Sequence, residues 1–348
     1  MRGMKTLKII LVILLILFTV LIVVGVFLPP SIHVERSTVI EVPQATVFTL
    51  VNGFSLFNRW SPWYDMDPEA RYTYEGPAFG PGAKMSWVSD NPHVGVGSQE
   101  ITKSTPFERV EIHDDFGSQG SAETRFAIEG TEKGTHVTWE FNTKFGWNLF
   151  DRYQGLMLDT WVGDSYEQGL AKLKDFAESL PGADWSQLDI SVDQQKAAPI
   201  LFVHGQADAD PASIGRALEE AYGKVAAVMQ KKGLEQAGAP LAFARSWGKN
   251  GYVFDAGIPY SGDINEDELD KSPVQRGATP PGRIVRAVHI GPYATISESY
   301  QKVMAFMGAH GFQPAGDPWE SYVSDPTTTP RAELITIISY PVDDPVFE

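Results

Sequence analysis

The residue types best suited to chemistry gather near one end of the chain. There Trp319 and Tyr322 lead through a Pro- and Thr-rich turn to Glu333 and an apolar run ending at Pro341. Read as a strand from Glu333, this run puts Glu333, Ile335, Ile337 and Ser339 on one face and Leu334, Thr336, Ile338 and Tyr340 on the other. A carboxylate sharing a face with isoleucines is costly to bury without a partner. Two readings stay open: a strand-end acid in water, or an acid on the floor of an aromatic-walled pocket. In the second, burial raises the Glu333 pKa, which suits a general base with Tyr322 nearby. Other constellations are missing. The chain has no cysteine, which removes disulfides, thiolate nucleophiles and cysteine metal sites. It contains no G-x-S-x-G, H-E-x-x-H, P-loop or G-x-G-x-x-G, so no cofactor is expected. Its histidines (33, 93, 113, 136, 204, 289, 310) are scattered without metal-ligand spacing, so no metal site is expected either.

The elements around Glu333 read as strand, Gly-Pro-Tyr turn, amphipathic helix, glycine and strand. His289-Ile290-Gly291-Pro292-Tyr293, Trp319-Glu320-Ser321-Tyr322, Asp325-Pro326, Pro330, and Glu333 with the strand ending Tyr340-Pro341-Val342 together resemble the GyrI-like family, the effector-binding domain also found in AraC- and MerR-type regulators. The resemblance implies a cleft between two pseudo-symmetric halves and an acid in it at the position of Glu333.

An internal repeat supports the two halves. Ile200 to His204 parallels Ile284 to His289, and the helix from Ala212 to Lys232 parallels that from Thr295 to His310. Gly233, Ala237-Gly238-Ala239-Pro240 and Ile258-Pro259 parallel Gly311, Ala315-Gly316-Asp317-Pro318 and Tyr340-Pro341. Two such β-α-β-β units side by side make an α+β domain with a groove at the pseudo-twofold axis. The helix stripes Ile214, Leu218, Ala221/Tyr222, Val225, Val228/Met229 and Ile296, Tyr300, Val303/Met304, Met307 are read as core, without a ligand role. His204 and His289, at matching strand ends, are read as sharing a structural role.

Residues 33–180 read differently. A strand from His33 to Glu41 and a short helix from Gln44 to Val51 precede an aromatic loop, Phe54 to Trp63. Strands at 71–75, 84–88, 97–105, 108–114, 122–129 and 135–143 follow, joined by Gly-rich turns. His113-Asp114-Asp115 is read as a strand end entering a polar turn. A long helix closes the unit with the stripe Leu158, Trp161/Val162, Tyr166, Leu170, Leu173, Phe176/Ala177 and Leu180. This order, with Phe57-Asn58-Arg59-Trp60-Ser61-Pro62-Trp63, resembles the SRPBCC superfamily, also called START-like or polyketide-cyclase-like. The resemblance implies a helix-grip fold, an antiparallel sheet wrapped around the long helix with a cavity between. Met85, Trp87, Val110, Ile112, Phe126, Ile128, Val137, Trp139 and Phe141 would point inward, filling the core or lining a cavity for an apolar ligand. Trp60, Trp63, Trp87, Phe126, Trp139 and Phe141 are its candidate ligand contacts.

The run Ile9 to Leu28 is apolar except for Thr19. As a helix it would be about 30 Å long, enough to cross a hydrocarbon core. It ends Gly-Val-Phe-Leu-Pro-Pro, a poor cleavage site, so an anchor is expected rather than a signal peptide. Arg2, Lys5 and Lys8 flank it, which places the N-terminus in the cytoplasm and the body on the outer, periplasmic or extracellular, side. A formal net charge of −16 disfavours nucleic acid and favours cationic ligands.

The expected organisation is a stub and transmembrane helix over 1–30, a helix-grip domain over 33–180, a polar linker over 181–198 and the duplicated effector-binding domain over 199–348. Asp263 to Pro281 is read as a surface loop between the repeats. The expected function is single-pass, membrane-anchored small-molecule binding. An apolar ligand would occupy the first domain, and an aromatic or cationic one would lie against Glu333, Trp319, Tyr322, Tyr252 and Phe254. The alternative is a hydrolase with Glu333 as general base. Neither reading names a protein partner.

Overall fold

A computed structural model describes residues 2–248, 251–264, 269 and 272–343, with backbone only for 2–6 and 8. The side chains of Arg2, Lys5 and Lys8, which set the expected orientation, lie outside the described residues. The chain forms two compact units that meet at Gly182 and Ala183.

The first unit begins with helix α1 (Arg2–Phe27). There follow β1 (Ser31–Ile40), α2 (Gln44–Val51), α3 (Pro62–Met66), β2 (Arg71–Glu75), β3 (Lys84–Val88), β4 (Val96–Thr105), β5 (Arg109–Asp115), β6 (Ser121–Thr131), β7 (Gly134–Lys144) and α4 (Leu149–Ser179). The strands form one antiparallel sheet in the order β1-β7-β6-β5-β4-β3-β2. Alternation dictates it: the inward positions from Met85 to Phe141 anticipated above are all buried. Gly134 is required at the β6–β7 turn, since it sits at φ +128 and a Cβ there would lie 2.2 Å from the Ile40 carbonyl. Helix α4 starts well before its apolar stripe, where the Asn148 side chain accepts from Phe150 N. Tyr166, Leu170, Leu173 and Ala177 bury against the sheet, but Trp161, expected in that stripe, is exposed.

The second unit contains β8 (Asp189–Gln195), β9 (Pro199–Ala207), α5 (Pro211–Lys232), β10 (Glu235–Gln236), β11 (Leu241–Gly248), β12 (Gly251–Ser261), β13 (Gln275–Ala278), β14 (Gly282–Ile290), α6 (Ile296–His310), β15 (Gln313–Pro314), β16 (Trp319–Tyr322) and β17 (Ile335–Asp343). The sheet order β13-β9-β12-β11-β16-β17-β14-β8 reads alike from either end about the central β11–β16 pair, which is the expected duplication. Both long helices end at a left-handed glycine, Gly233 and Gly311. Both halves also close the same way, with Ala237 N bonding Pro259 O and Ala315 N bonding Pro341 O, each at 2.9 Å.

Three expectations are corrected. Asp189–Gln195, placed in the linker, is a strand that pairs with β14 and extends the sheet. The segment from Asp263 to Pro281 is more than a surface loop. Ile264, Leu269 and Val274 are buried in the core beside α5, and β13 pairs with β9; residues 265–268 and 270–271 lie outside the described residues. His204 and His289 are not equivalent. His204 pairs with Asp255 and is largely exposed, whereas buried His289 pairs with Thr336 and bonds Ser299 Oγ and Pro292 O. Aligning Ile200 with Ile284 matches His204 to Val288 and Gly205 to His289. A one-residue slip along a strand exchanges its faces.

Candidate functional site

Strand β16 divides its side chains between two faces. Trp319 is buried with Ile200, Leu241, Phe243 and Ile284, its ring 5.4 Å from that of Phe243. Glu320 and Tyr322 point the other way, onto the face that carries the two helices. There the Glu320 carboxylate accepts two hydrogen bonds, from the Tyr300 hydroxyl of α6 at 3.1 Å and from the Tyr322 hydroxyl at 2.8 Å.

Three more tyrosines complete a ring. Tyr222 of α5 stands edge-on to Tyr322 with centroids 6.4 Å apart, and Tyr293, in the turn before α6, stands edge-on at 5.6 Å. Tyr252 of β12 lies 5.1 Å from the exposed Trp247 and 5.1 Å from Phe254. The Tyr222 hydroxyl is buried and has no hydrogen-bond partner among the described residues.

The electrostatics follow from this packing. Burial pushes the Glu320 pKa up, and the two tyrosine bonds and nearby His289 recover only part of that shift. All five tyrosines are pushed above their ordinary value, first by burial and then by charge effects that include Glu320 in every case. The result is a half-buried acid reluctant to ionise, walled by electron-rich rings. Such a site suits a group that brings positive charge on an aromatic or alkyl body.

The expected residues are distributed unevenly over this site. Tyr322 and Tyr252 belong to the ring. Phe254 is fully buried behind Tyr252, so close to the backbone that a Cβ on Gly205 would lie 2.4 Å from its ring. Trp319 is on the opposite face. Glu333 is not on the strand: Pro330 leads into the 3-10 turn Arg331–Glu333, β17 starts at Ile335, and Glu333 is exposed. Sequence alone does not single out Glu320 within the Trp-Glu-Ser-Tyr segment, and helical spacing reads Tyr222 and Tyr300 as core. A signal for the helix pair was available, because Tyr222 and Tyr300 hold the same place in the two repeats.

In the first unit four of the six candidate aromatics pack on one another. Trp139 stacks on Tyr166 of α4 at 3.8 Å and on Phe126 at 4.9 Å, Trp60 meets Trp139 at 5.7 Å and Trp63 meets it at 5.9 Å. Trp87 contacts Phe116, and Phe141 stands edge-on to Tyr166. A polar cluster lies among them. Asp114 is buried on β5, at the strand end expected for it, one residue before the strand stops at Asp115. Thr124 Oγ1 donates to Asp114 Oδ2 at 2.5 Å and lies 3.3 Å from the Tyr166 hydroxyl. Asp114 Oδ1 and Gln99 Oε1 are buried and make no well-formed hydrogen bond among the described residues, although the Gln99 side chain opposite Asp114 lies close enough to favour its charge. Burial pushes the Asp114 pKa up to about 7.

Comparison with known proteins accords with the two units. Residues 31–178 match the family model "Polyketide cyclase / dehydrase and lipid transport", and residues 189–343 match "GyrI-like small molecule binding domain". Similar solved structures include an uncharacterised conserved protein from Listeria innocua, at 18% identity over 44% of this chain and 92% of that one, TM-score 0.37. Two others are the C-terminal domain of EcmrR (15%, 45% and 99%, TM-score 0.40) and a hydrolase from Listeria innocua (19%, 44% and 91%, TM-score 0.35). No curated protein matches. The chain therefore joins an SRPBCC-like domain of the polyketide cyclase and lipid transport family to a GyrI-like small-molecule-binding domain.

Proposed function

We propose that this is a membrane-anchored binding protein whose GyrI-like unit takes an aromatic cation against Glu320. The observation that carries this is one half-buried carboxylate, its pKa raised, inside a ring of five tyrosines. An incoming cation compensates the desolvation that burial imposes on the carboxylate, while the ring faces contribute cation–π attraction. Ionisation of Glu320 and cation binding are then linked, so affinity rises with pH until the acid is ionised in the free protein. Calorimetric titration with a panel of aromatic cations tests this. Glu320→Gln should weaken binding at least about tenfold, or about 1.4 kcal/mol, while Glu333→Gln on its exposed turn should leave it unchanged. Equal affinity in wild type and Glu320→Gln would overturn the reading.

For the first unit we read an apolar ligand with one polar group. What supports this is the buried Asp114–Gln99 pair, whose Oδ1 and Oε1 lack a well-formed hydrogen bond within an otherwise aromatic interior, since buried polar atoms are nearly always satisfied by something.

The anchor reading rests on how α1 ends. The apolar stretch Ile9–Phe27 is long enough to cross a membrane. Its single hydroxyl, on Thr19, bonds back to Leu15 O at 2.8 Å. The buried Arg152 of α4 donates to the α1-terminal carbonyls of Val26 at 2.9 Å and Leu28 at 3.2 Å. A segment destined for removal has no need of a receptor for its end.

A further inference from the structure

The anchor is held along α4, and the surface beside that contact is apolar and open. Tyr153 donates to Leu21 O at 2.7 Å, and Gly25 lets the helices approach so closely that a Cβ there would lie 3.1 Å from the Tyr153 ring and 3.3 Å from Leu149. Phe145 N bonds Pro30 O, which ties the turn before α4 to the end of the span. Around this junction Phe27 is 84% exposed, Trp147 83% and Phe150 69%, with Met157 and Trp161 also exposed. Phe150, Met157 and Trp161 fall within about 40° of one another around α4, making a stripe next to the α1-facing side.

Resting on the anchor reading above, we propose that Trp147 and the Phe150, Met157 and Trp161 stripe form a second membrane contact, seated in the lipid–water interface where α1 leaves the bilayer. The depth agrees. Leu21 lies about 9 Å along the helix from Phe27, so the bond from Tyr153 draws the first turns of α4 to the level that interfacial helices occupy, about 5–10 Å into the headgroup region. Trp and Tyr are the residues that favour this level. The stripe itself is uncharged, the charge beside it on α4 is the acidic Asp151, and the Arg152 guanidinium over the Trp147 ring is already bonded to the Val26 and Leu28 carbonyls, so the contact is with neutral lipid and needs no anionic headgroup. The unit read as taking an apolar ligand thereby has one end of its central helix in the phase where such ligands dissolve.

Because the natural chain has no cysteine, single substitutions report depth directly. Leu14→Cys, Phe150→Cys and Met157→Cys, each in the full chain, are labelled with a nitrobenzoxadiazole probe and reconstituted into phosphatidylcholine vesicles. Quenching by nitroxide lipids and by aqueous iodide is then measured. The expected result is a Leu14 probe quenched by deep nitroxides. The Phe150 and Met157 probes should be quenched by shallow ones and shielded from iodide at least threefold relative to the free probe. A shielded Leu14 probe with the Phe150 and Met157 probes fully open to iodide overturns the second contact and leaves the anchor standing. A Leu14 probe open to iodide overturns the anchor and the contact together.

Discussion

Glu320 stands directly opposite Ala242 in the antiparallel β11–β16 pair at the centre of the duplicated unit. The two positions are equivalent in the repeat: as many residues separate Ala242 from Glu320 as separate Tyr222 from Tyr300 or Gly233 from Gly311. Duplication thus supplies a tyrosine from each helix, and one half alone supplies the charge. A carboxylate at both positions would place like charges side by side, which is destabilising. A single acid on the axis gives one anionic point reached from both halves.

Glu320 costs stability when ionised. Its folded-state pKa is raised, so the folded protein holds this proton after the unfolded chain has released it. The associated stability is present at low pH and is lost as pH rises through the elevated pKa. Glu320→Gln should therefore melt higher than wild type at alkaline pH and show a flatter dependence of melting temperature on pH. Thermal melts across the pH range check this.

Asp114 should behave likewise in the first unit, with a pH window that can be named. Its pKa is raised to about 7, so its contribution is intact below about pH 4 and falls away up to about pH 7. Asp114→Asn should remove that slope and stabilise above neutrality, by about 4 kcal/mol at most. Denaturant unfolding of the two proteins at pH 5 and pH 8 should differ in sign or size accordingly.

Gly205 should not tolerate a side chain. A Cβ there would lie 2.4 Å from the fully buried Phe254 ring, which backs Tyr252. Gly205→Ala should destabilise by about 1–3 kcal/mol through overpacking and weaken cation binding by tilting Tyr252. Adding Phe254→Leu should restore part of the stability, measured by chemical denaturation.

The architecture was legible because its markers are local. Glycines and prolines recur at matched places in the two repeats, and alternation from Met85 to Phe141 names the inward face of the first sheet. The acid was misplaced because alternation was carried two residues too far back, from Ile335 to Glu333, across a turn that Pro330 begins. Glu320 was hidden by brevity: four residues of β16 show too little pattern to separate the Trp319 face from the Glu320 face. Tyr222 and Tyr300 do sit on apolar helix stripes. Only the fold shows that those stripes converge on a carboxylate, since helical spacing says which residues share a face and not what that face meets. His204 and His289 looked equivalent because both close a strand of similar composition, and a one-residue register difference cannot be seen without the partner strands.

The most direct test of the central claim is the affinity of one aromatic cation, measured by calorimetry across pH for wild type and Glu320→Gln. Wild-type affinity should climb with pH and then level, with proton release on binding at the lower pH values. Binding in the variant should be weak and independent of pH. Affinity that ignores pH in the wild type, or that survives the loss of Glu320, would contradict it.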